Sequence, residues 1–181
     1  MDFVEIKNIY KFYQDIKILD DVSFAVPKGN CVSVSYDISL MKIIGGLMKA
    51  DSGNVFVDGQ NISLMDDKQL SLYRQNDVGM VFCENNLFFN ITGRENIELV
   101  RSVATNPLDT DEINYFLKCP LDVLPGELSL LDQKKLAVAM AIVKQPKLLL
   151  YADSHDDYEN EIIRLLNIFC MEKGLTVIII K

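Results

Sequence analysis

The sequence predicts an α/β fold, with a parallel-sheet core preceded by an N-terminal antiparallel β subdomain. Three observations carry this reading. Lys147 to Tyr151 (KLLLY) and Thr176 to Ile180 (TVIII) are continuous apolar β runs joined by a helix-length segment, Glu159 to Lys173. That pattern is a right-handed parallel βαβ unit with both sheet faces covered. Second, Ile16 to Val26 (IKILDDVSFAV) and the Val55/Val57 pair are β-like and are bounded by the turn signals Pro27-Lys28-Gly29 and Asp58-Gly59. Third, a short β-rich run, Cys31 to Ser35, passes through only Tyr36 to Ser39 into an apolar helix start at Leu40 to Met48.

Taken in order, Phe3 to Ile9 alternate loosely and join Ile16 to Val26 in the antiparallel part, with Asn54 to Val57 as an edge strand before Asp58-Gly59. Asp66 to Arg74 reads as a short helix and Val78 to Phe82 (VGMVF) as a compact apolar strand. Thr92-Gly93-Arg94-Glu95 has capping-box spacing before a helix over Asn96 to Val103. A second helix, Glu112 to Lys118, leads to the loop Cys119 to Gly126. Ser129 caps the clearest helix, SLLDQKKLAVAMAIVK, where Asp132 complements the dipole and Leu136, Ala139, Met140 and Val143 share one face. Gly174 ends the Glu159 to Lys173 helix.

The 181 residues fit one domain, and a formal charge of -8 argues against wrapping nucleic acid or docking on an anionic bilayer by bulk electrostatics. Cys31, Cys83, Cys119 and Cys170 lie far apart with no C-x-x-C pair, and His155 is the single histidine. Buried free thiols in a reducing compartment account for these cysteines better than a zinc site, so no metal centre is expected. No signal peptide and no apolar run of spanning length is present, which predicts a cytoplasmic protein that meets a membrane only through a partner.

The order of segments resembles the nucleotide-binding domain of ATP-binding cassette (ABC) transporters over essentially the whole chain. The residues that carry the resemblance are KFYQDIKILDDVSFAVPKGN, IIGGLMKADSGNVFVDGQNIS, LYRQNDVGMVF, NLFFNITGRENIEL, ELSLLDQKKLAVAMAIVKQPKLLL and GLTVIII. They are most similar to the branch of lipoprotein-release, macrolide-export and cell-division ATPases. The resemblance implies a P-loop NTPase-like (ABC ATPase) parallel-sheet core, a single domain over residues 1–181 and a shortened helical subdomain at about 84–133.

It also implies where catalytic groups should stand, and most of those positions depart from the family. The phosphate loop G-x-x-x-x-G-K-S/T is replaced by Tyr36-Asp37-Ile38-Ser39, too short to wrap a phosphate. Lys42 lies a turn into the helix, Ser39 alone corresponds to the magnesium hydroxyl, and Asp37 reads as a helix cap whose charge repels a nucleotide. The adenine-stacking aromatic falls on Tyr13. The magnesium-sensing glutamine falls on Cys83, a poor magnesium ligand. The signature L-S-G-G-Q becomes Leu128-Ser129-Leu130-Leu131-Asp132, keeping only Ser129, which a helix cap also explains. Beyond LLLY, Asp153 stands either for the water-polarising carboxylate, with Ala152 in the magnesium position, or for the magnesium ligand, with Ser154 in place of the base.

These matched losses imply a catalytically degenerate ABC-type subunit, a non-hydrolysing partner of an ABC ATPase, of a permease, or of both. Its partners would be a permease and a second ATPase subunit in a heterodimer, or another copy in a homodimer, with no nucleic acid. The permease-docking segment of the family corresponds to Glu84 to Glu98, including Asn85 to Phe89 (NNLFF). The alternative is residual ATP binding or hydrolysis for transport as half of a composite dimer, with Tyr13 and Ser129 completing a partner's site. ATP and Mg2+ enter as cofactors only if binding is retained, and Asp153 is the one vestigial catalytic candidate.

Overall fold

The computed structural model describes residues 2–83, 86–152 and 157–181. Two four-stranded sheets organise it. The antiparallel sheet comprises β1 (Asp2–Tyr13), β2 (Ile16–Pro27), β4 (Ser52–Val57) and the two-residue β5 (Gln60–Asn61), in the order β2-β1-β4-β5. The strand expected at the edge, β4, therefore lies between β1 and β5. Gln14 and Asp15 both take positive φ, as a two-residue type I′ hairpin turn requires, and this extends β1 to Tyr13, opposite Ile16.

The parallel sheet comprises β3 (Cys31–Val34), β6 (Val78–Val81), β7 (Leu148–Ala152) and β8 (Thr176–Ile180), in the order β3-β8-β7-β6. The runs β7 and β8, apolar but for Thr176, take the two central places, with every residue buried. Their period-2 alternation sends Leu149, Tyr151, Val177 and Ile179 into one core and Leu148, Leu150, Ile178 and Ile180 into another on the opposite face. The first core is roofed by helices, and the second packs against α1 (Ser39–Ile44) and the antiparallel sheet. The predicted parallel connection is present, with α6 (Glu159–Lys173) linking β7 to β8 and stopping at Gly174 in the left-handed conformation.

Caps set most helix starts. Asp66 and Gln69 form a capping box for α2 (Asp67–Asn76), and Thr92 and Glu95 form another for α3, which runs Gly93–Arg101 rather than starting at Asn96. Asp109 caps α4 (Thr110–Leu117), and Ser129 caps α5 (Leu130–Ile142). The expected helix over Leu40 to Met48 is shorter, because Gly45 and Gly46 end it against Met80 and Leu70. The single apolar face expected of α5 is also corrected. Leu136, Ala139 and Val143 are buried, but so are Ala137, Val138, Ala141 and Ile142, because α5 lies between β6 and the α3 and α4 pair.

Just beyond α5, Lys144 is half-buried, and its Nζ donates to the Arg74 carbonyl near the end of α2. Burial pushes its pKa down to about 8, against a weaker opposing effect of Asp77. The sign follows by linkage. Below pH 8 both states carry the proton and the desolvation penalty is full. Between about 8 and 10.5 the unfolded state binds more protons, so stability should rise with pH. Discounted for partial exposure, the rise is about 1–2 kcal/mol. Chemical denaturation from pH 7.5 to 10.5 should show it as a more positive slope in the parent than in Lys144→Met, since the raised Cys119 thiol lowers stability with pH equally in both; equal slopes in both proteins would rule it out.

Candidate functional site

In an open parallel sheet, ligands sit outside the carboxyl ends of the strands. There, a cleft of about 510 Å³ is lined by Tyr36 and Ile38 beyond β3, Phe82 and Cys83 beyond β6, and Ala152 and Ile180 at the ends of β7 and β8. Lys42 from α1 and Lys181 bring cations to a mostly apolar wall. Tyr36 is fixed by stacking on Phe24, ring centroids 6.1 Å apart and planes 9° from parallel. The Cys83 thiol reaches the Ala152 carbonyl at 3.9 Å, joining the ends of β6 and β7.

The strand-to-helix junction in this cleft is built as a short closed turn. The Ser39 N–H donates to the Asp37 carboxylate at 2.8 Å, and the Leu40 N–H donates to the Asp37 carbonyl at 2.9 Å. The position of cap geometry is Ile38, which makes no side-chain bond, so Asp37 acts one residue earlier than a conventional cap. Two of the four N–H groups that a helix start leaves free are thus paired within the junction. Ser39 itself is buried, 6% exposed.

The remaining sequence-predicted residues are dispersed. Tyr13 sits at the β1–β2 hairpin tip, 64% exposed. Ser129 caps α5; its hydroxyl donates to the Asp132 carboxylate at 2.7 Å and accepts from the Asp132 N–H at 3.1 Å. Among the described residues no hydrogen bond links Tyr13, Ser39 and Ser129 to one another. Asp153, Ser154, His155, Glu84 and Asn85 lie outside the described residues.

Two readings of residue types change. The four cysteines are not all buried: Cys119 and Cys170 are, Cys31 is half-buried, and Cys83 is exposed at the cleft. Burial, reinforced by Asp132, pushes the Cys119 thiol up to about 12, so it stays protonated and serves as packing. The apolar Leu87, Phe88 and Phe89 also divide, Leu87 entering the helical core while Phe88 and Phe89 stand about half exposed. Asn96, which sequence reading passed over, orders this loop from a fully buried position. Its side chain accepts from the Phe88 N–H at 2.8 Å and donates to the Phe88, Ile91 and Thr92 carbonyls at 3.0, 3.3 and 2.9 Å. A capping box immediately upstream was the only sequence signal near it. Among the described residues no cluster of three metal-ligating side chains occurs, and no helix is long and apolar enough to cross a membrane.

An antiparallel sheet set against a parallel core, helices over the opposite face, and a cleft at the strand ends define the architecture of an ATP-binding cassette. The chain belongs to the ABC transporter family, whose model matches residues 39–154. Among curated relatives, MG065 of Mycoplasma genitalium, named as an ABC transporter ATP-binding protein, is 31% identical over 166 residues, 84% of this chain but 35% of its own length. The chain thus spans about a third of that relative. The lipoprotein-releasing system ATP-binding protein LolD of Cytophaga hutchinsonii is 30% identical over 158 residues, 81% of this chain and 72% of LolD. Among solved structures, the cassette MJ0796, captured as a dimer with ADP and Pi after hydrolysis, aligns with a TM-score of 0.82 at 25% identity, over 98% of this chain and 87% of that one. CbiO1 of Clostridium perfringens, part of the CbiONQ transporter complex, gives 0.86 at 20% identity over 99% and 78%, a likeness of fold.

Proposed function

We propose that this chain is a catalytically degenerate ABC-type subunit, a non-hydrolysing partner that pairs with an ABC ATPase, docks on a permease, or does both. The junction between β3 and α1 carries the reading. A triphosphate with Mg2+ needs several convergent backbone N–H groups, a lysine and a hydroxyl. Here the Ser39 and Leu40 N–H groups already bond to Asp37, whose carboxylate adds negative charge at the junction. The residues present do not fit that group, and no catalytic step is derived through it. Asp132 beside Ser129 supports the same reading, since it adds negative charge and holds the hydroxyl at the one retained signature position.

In this reading residues 1–181 act as one cassette-like domain, with 84–133 as its reduced helical part. The exposed Phe88 and Phe89, held by Asn96, offer the apolar contact a permease would take, and the protein lies at the inner membrane face through that partner. LolD and CbiO1 bear names of transport systems, which supports a transporter setting.

Calorimetric titration of the purified chain with ATP and Mg2+ should give no binding, alone or with a co-purified ABC ATPase. Binding that emerges only with the partner would instead establish the composite-dimer alternative. Asp37→Ala should cost about 1 kcal/mol of stability through loss of its bond to the Ser39 N–H. It should not create nucleotide affinity; tight ATP binding by this variant would show a blocked loop rather than a lost one.

A further inference from the structure

A second surface shares no lining residue with the strand-end cleft. A groove of about 610 Å³ runs between α4 and α6. Its apolar wall is made by Phe116 and Leu117 on one side and Leu165 and Ile168 on the other. Phe116 is braced against Phe169, ring centroids 5.5 Å apart, so the wall is fixed before anything binds. Tyr115, edge-on to Phe116 with ring centroids 5.5 Å apart, is 77% exposed and enlarges the uncovered apolar area.

The charge of the groove is opposite to that of the molecule. Lys118, Lys135 and Arg164 line it against one carboxylate among the described residues, Glu161, in a chain of formal charge -8. Lys135 is engaged by Glu161 at 3.0 Å and by Asp132 at 3.9 Å. Lys118 and Arg164 have no side-chain ion pair or hydrogen bond among the described residues, so two cations stand beside an apolar wall without an internal counter-ion. The face α6 turns to the groove carries Glu161, Arg164, Leu165 and Ile168, the i, i+3, i+4, i+7 spacing of one helix side. From Asn160 to Ile168 it extends about 12 Å at 1.5 Å per residue.

We propose that this groove docks an acidic amphipathic helix of a partner protein. The helix would set apolar side chains at helical spacing on Phe116, Leu117, Leu165 and Ile168, and Asp or Glu against Lys118 and Arg164. The length of the exposed α6 face matches two turns of such a helix, and the two cations, without an ion pair among the described residues, select its charge.

The test is fluorescence anisotropy of the full chain with a labelled synthetic helix carrying leucines at i, i+3, i+7 and i+10 flanked by glutamates. A control helix has the same leucines flanked by lysines. The acidic helix should bind saturably and more weakly as salt is raised, and the lysine helix should not bind. Lys118→Glu/Arg164→Glu should weaken binding by about tenfold or more, as reversal of two contacting charges does, with unchanged circular dichroism and thermal midpoint. Ile168→Asp should also abolish binding if it remains folded by the same measures. Equal binding of both helices, or undiminished binding by the folded double variant, overturns the proposal. Decanoate binding at these residues without peptide binding would assign the groove to a small amphipathic anion. Self-association of the chain that the double variant abolishes, with no peptide bound, would assign it to a second copy. Either result overturns the helix partner.

Discussion

Asn96→Ala should lower the unfolding free energy by about 2–3 kcal/mol, because it removes at once the bonds of a fully buried side chain to the part-buried Phe88 N–H and to the Phe88 and Ile91 carbonyls, each group left unpaired costing about 1–3 kcal/mol. The side chain is fully buried and accepts from the Phe88 N–H while donating to the Phe88, Ile91 and Thr92 carbonyls. Alanine cannot replace any of these side-chain bonds, and only the Thr92 carbonyl keeps a second donor, the backbone N–H of residue 96. The loss should fall first on the loop that presents Phe88 and Phe89. Urea denaturation measures the total, and amide hydrogen exchange at Phe88 should quicken more than exchange in β7. A change below about 0.5 kcal/mol, the range of ordinary surface substitutions, would show that the loop is ordered by something else. Asn96→Asp makes a sharper comparison, since a carboxylate can still accept from Phe88 but presents no donor to the three carbonyls.

The second large effect is expected at Gly79 in β6. A Cβ there would lie 2.7 Å from the Ala141 carbonyl oxygen of α5, 3.0 Å from Leu149 Cδ1 and 3.2 Å from Pro146 Cγ. The nearest atom is helix backbone and cannot swing aside, so Gly79→Ala should cost about 2–3 kcal/mol by overpacking. Gly126 is the matched control, because a Cβ there meets nothing within 4 Å. Gly126→Ala should stay within about 0.5 kcal/mol of the parent. Similar denaturation midpoints for the two variants would mean that α5 and β6 separate easily, and the close approach would then have no energetic weight.

The candidate site was legible where its residues are contiguous. Tyr36 to Ser39 could be recognised as a short closed junction because a strand, a turn and a helix start follow one another without interruption, and the Asp37 carboxylate bonds only two residues ahead. The rest of the cleft was not legible in the same way. Phe24 stacks on Tyr36, Cys83 reaches Ala152, and Ile180 and Lys181 close the far side, all through contacts between distant parts of the chain. Ser129 shows the opposite limit: its capping role follows from three neighbouring residues, whereas what it meets in an assembly does not.

By itself the sequence determined the local grammar of this protein. The capping pair Thr92 with Glu95, the stop at Gly174, and the apolar runs that become β7 and β8 all rest on periodicity and on bonds within one turn. Tertiary structure alone decided the strand order β3-β8-β7-β6, the sandwiching of α5, the partial burial of Lys144 against the end of α2, and the meeting of α4 with α6 in a basic groove. The physical reason is one of range. A cap or a period is a relation between near neighbours and is written in their order, while burial and charge pairing depend on which distant surface arrives to cover a residue. Lys118 and Arg164 are ordinary surface cations in the sequence; only the packing of their two helices places both beside one apolar wall.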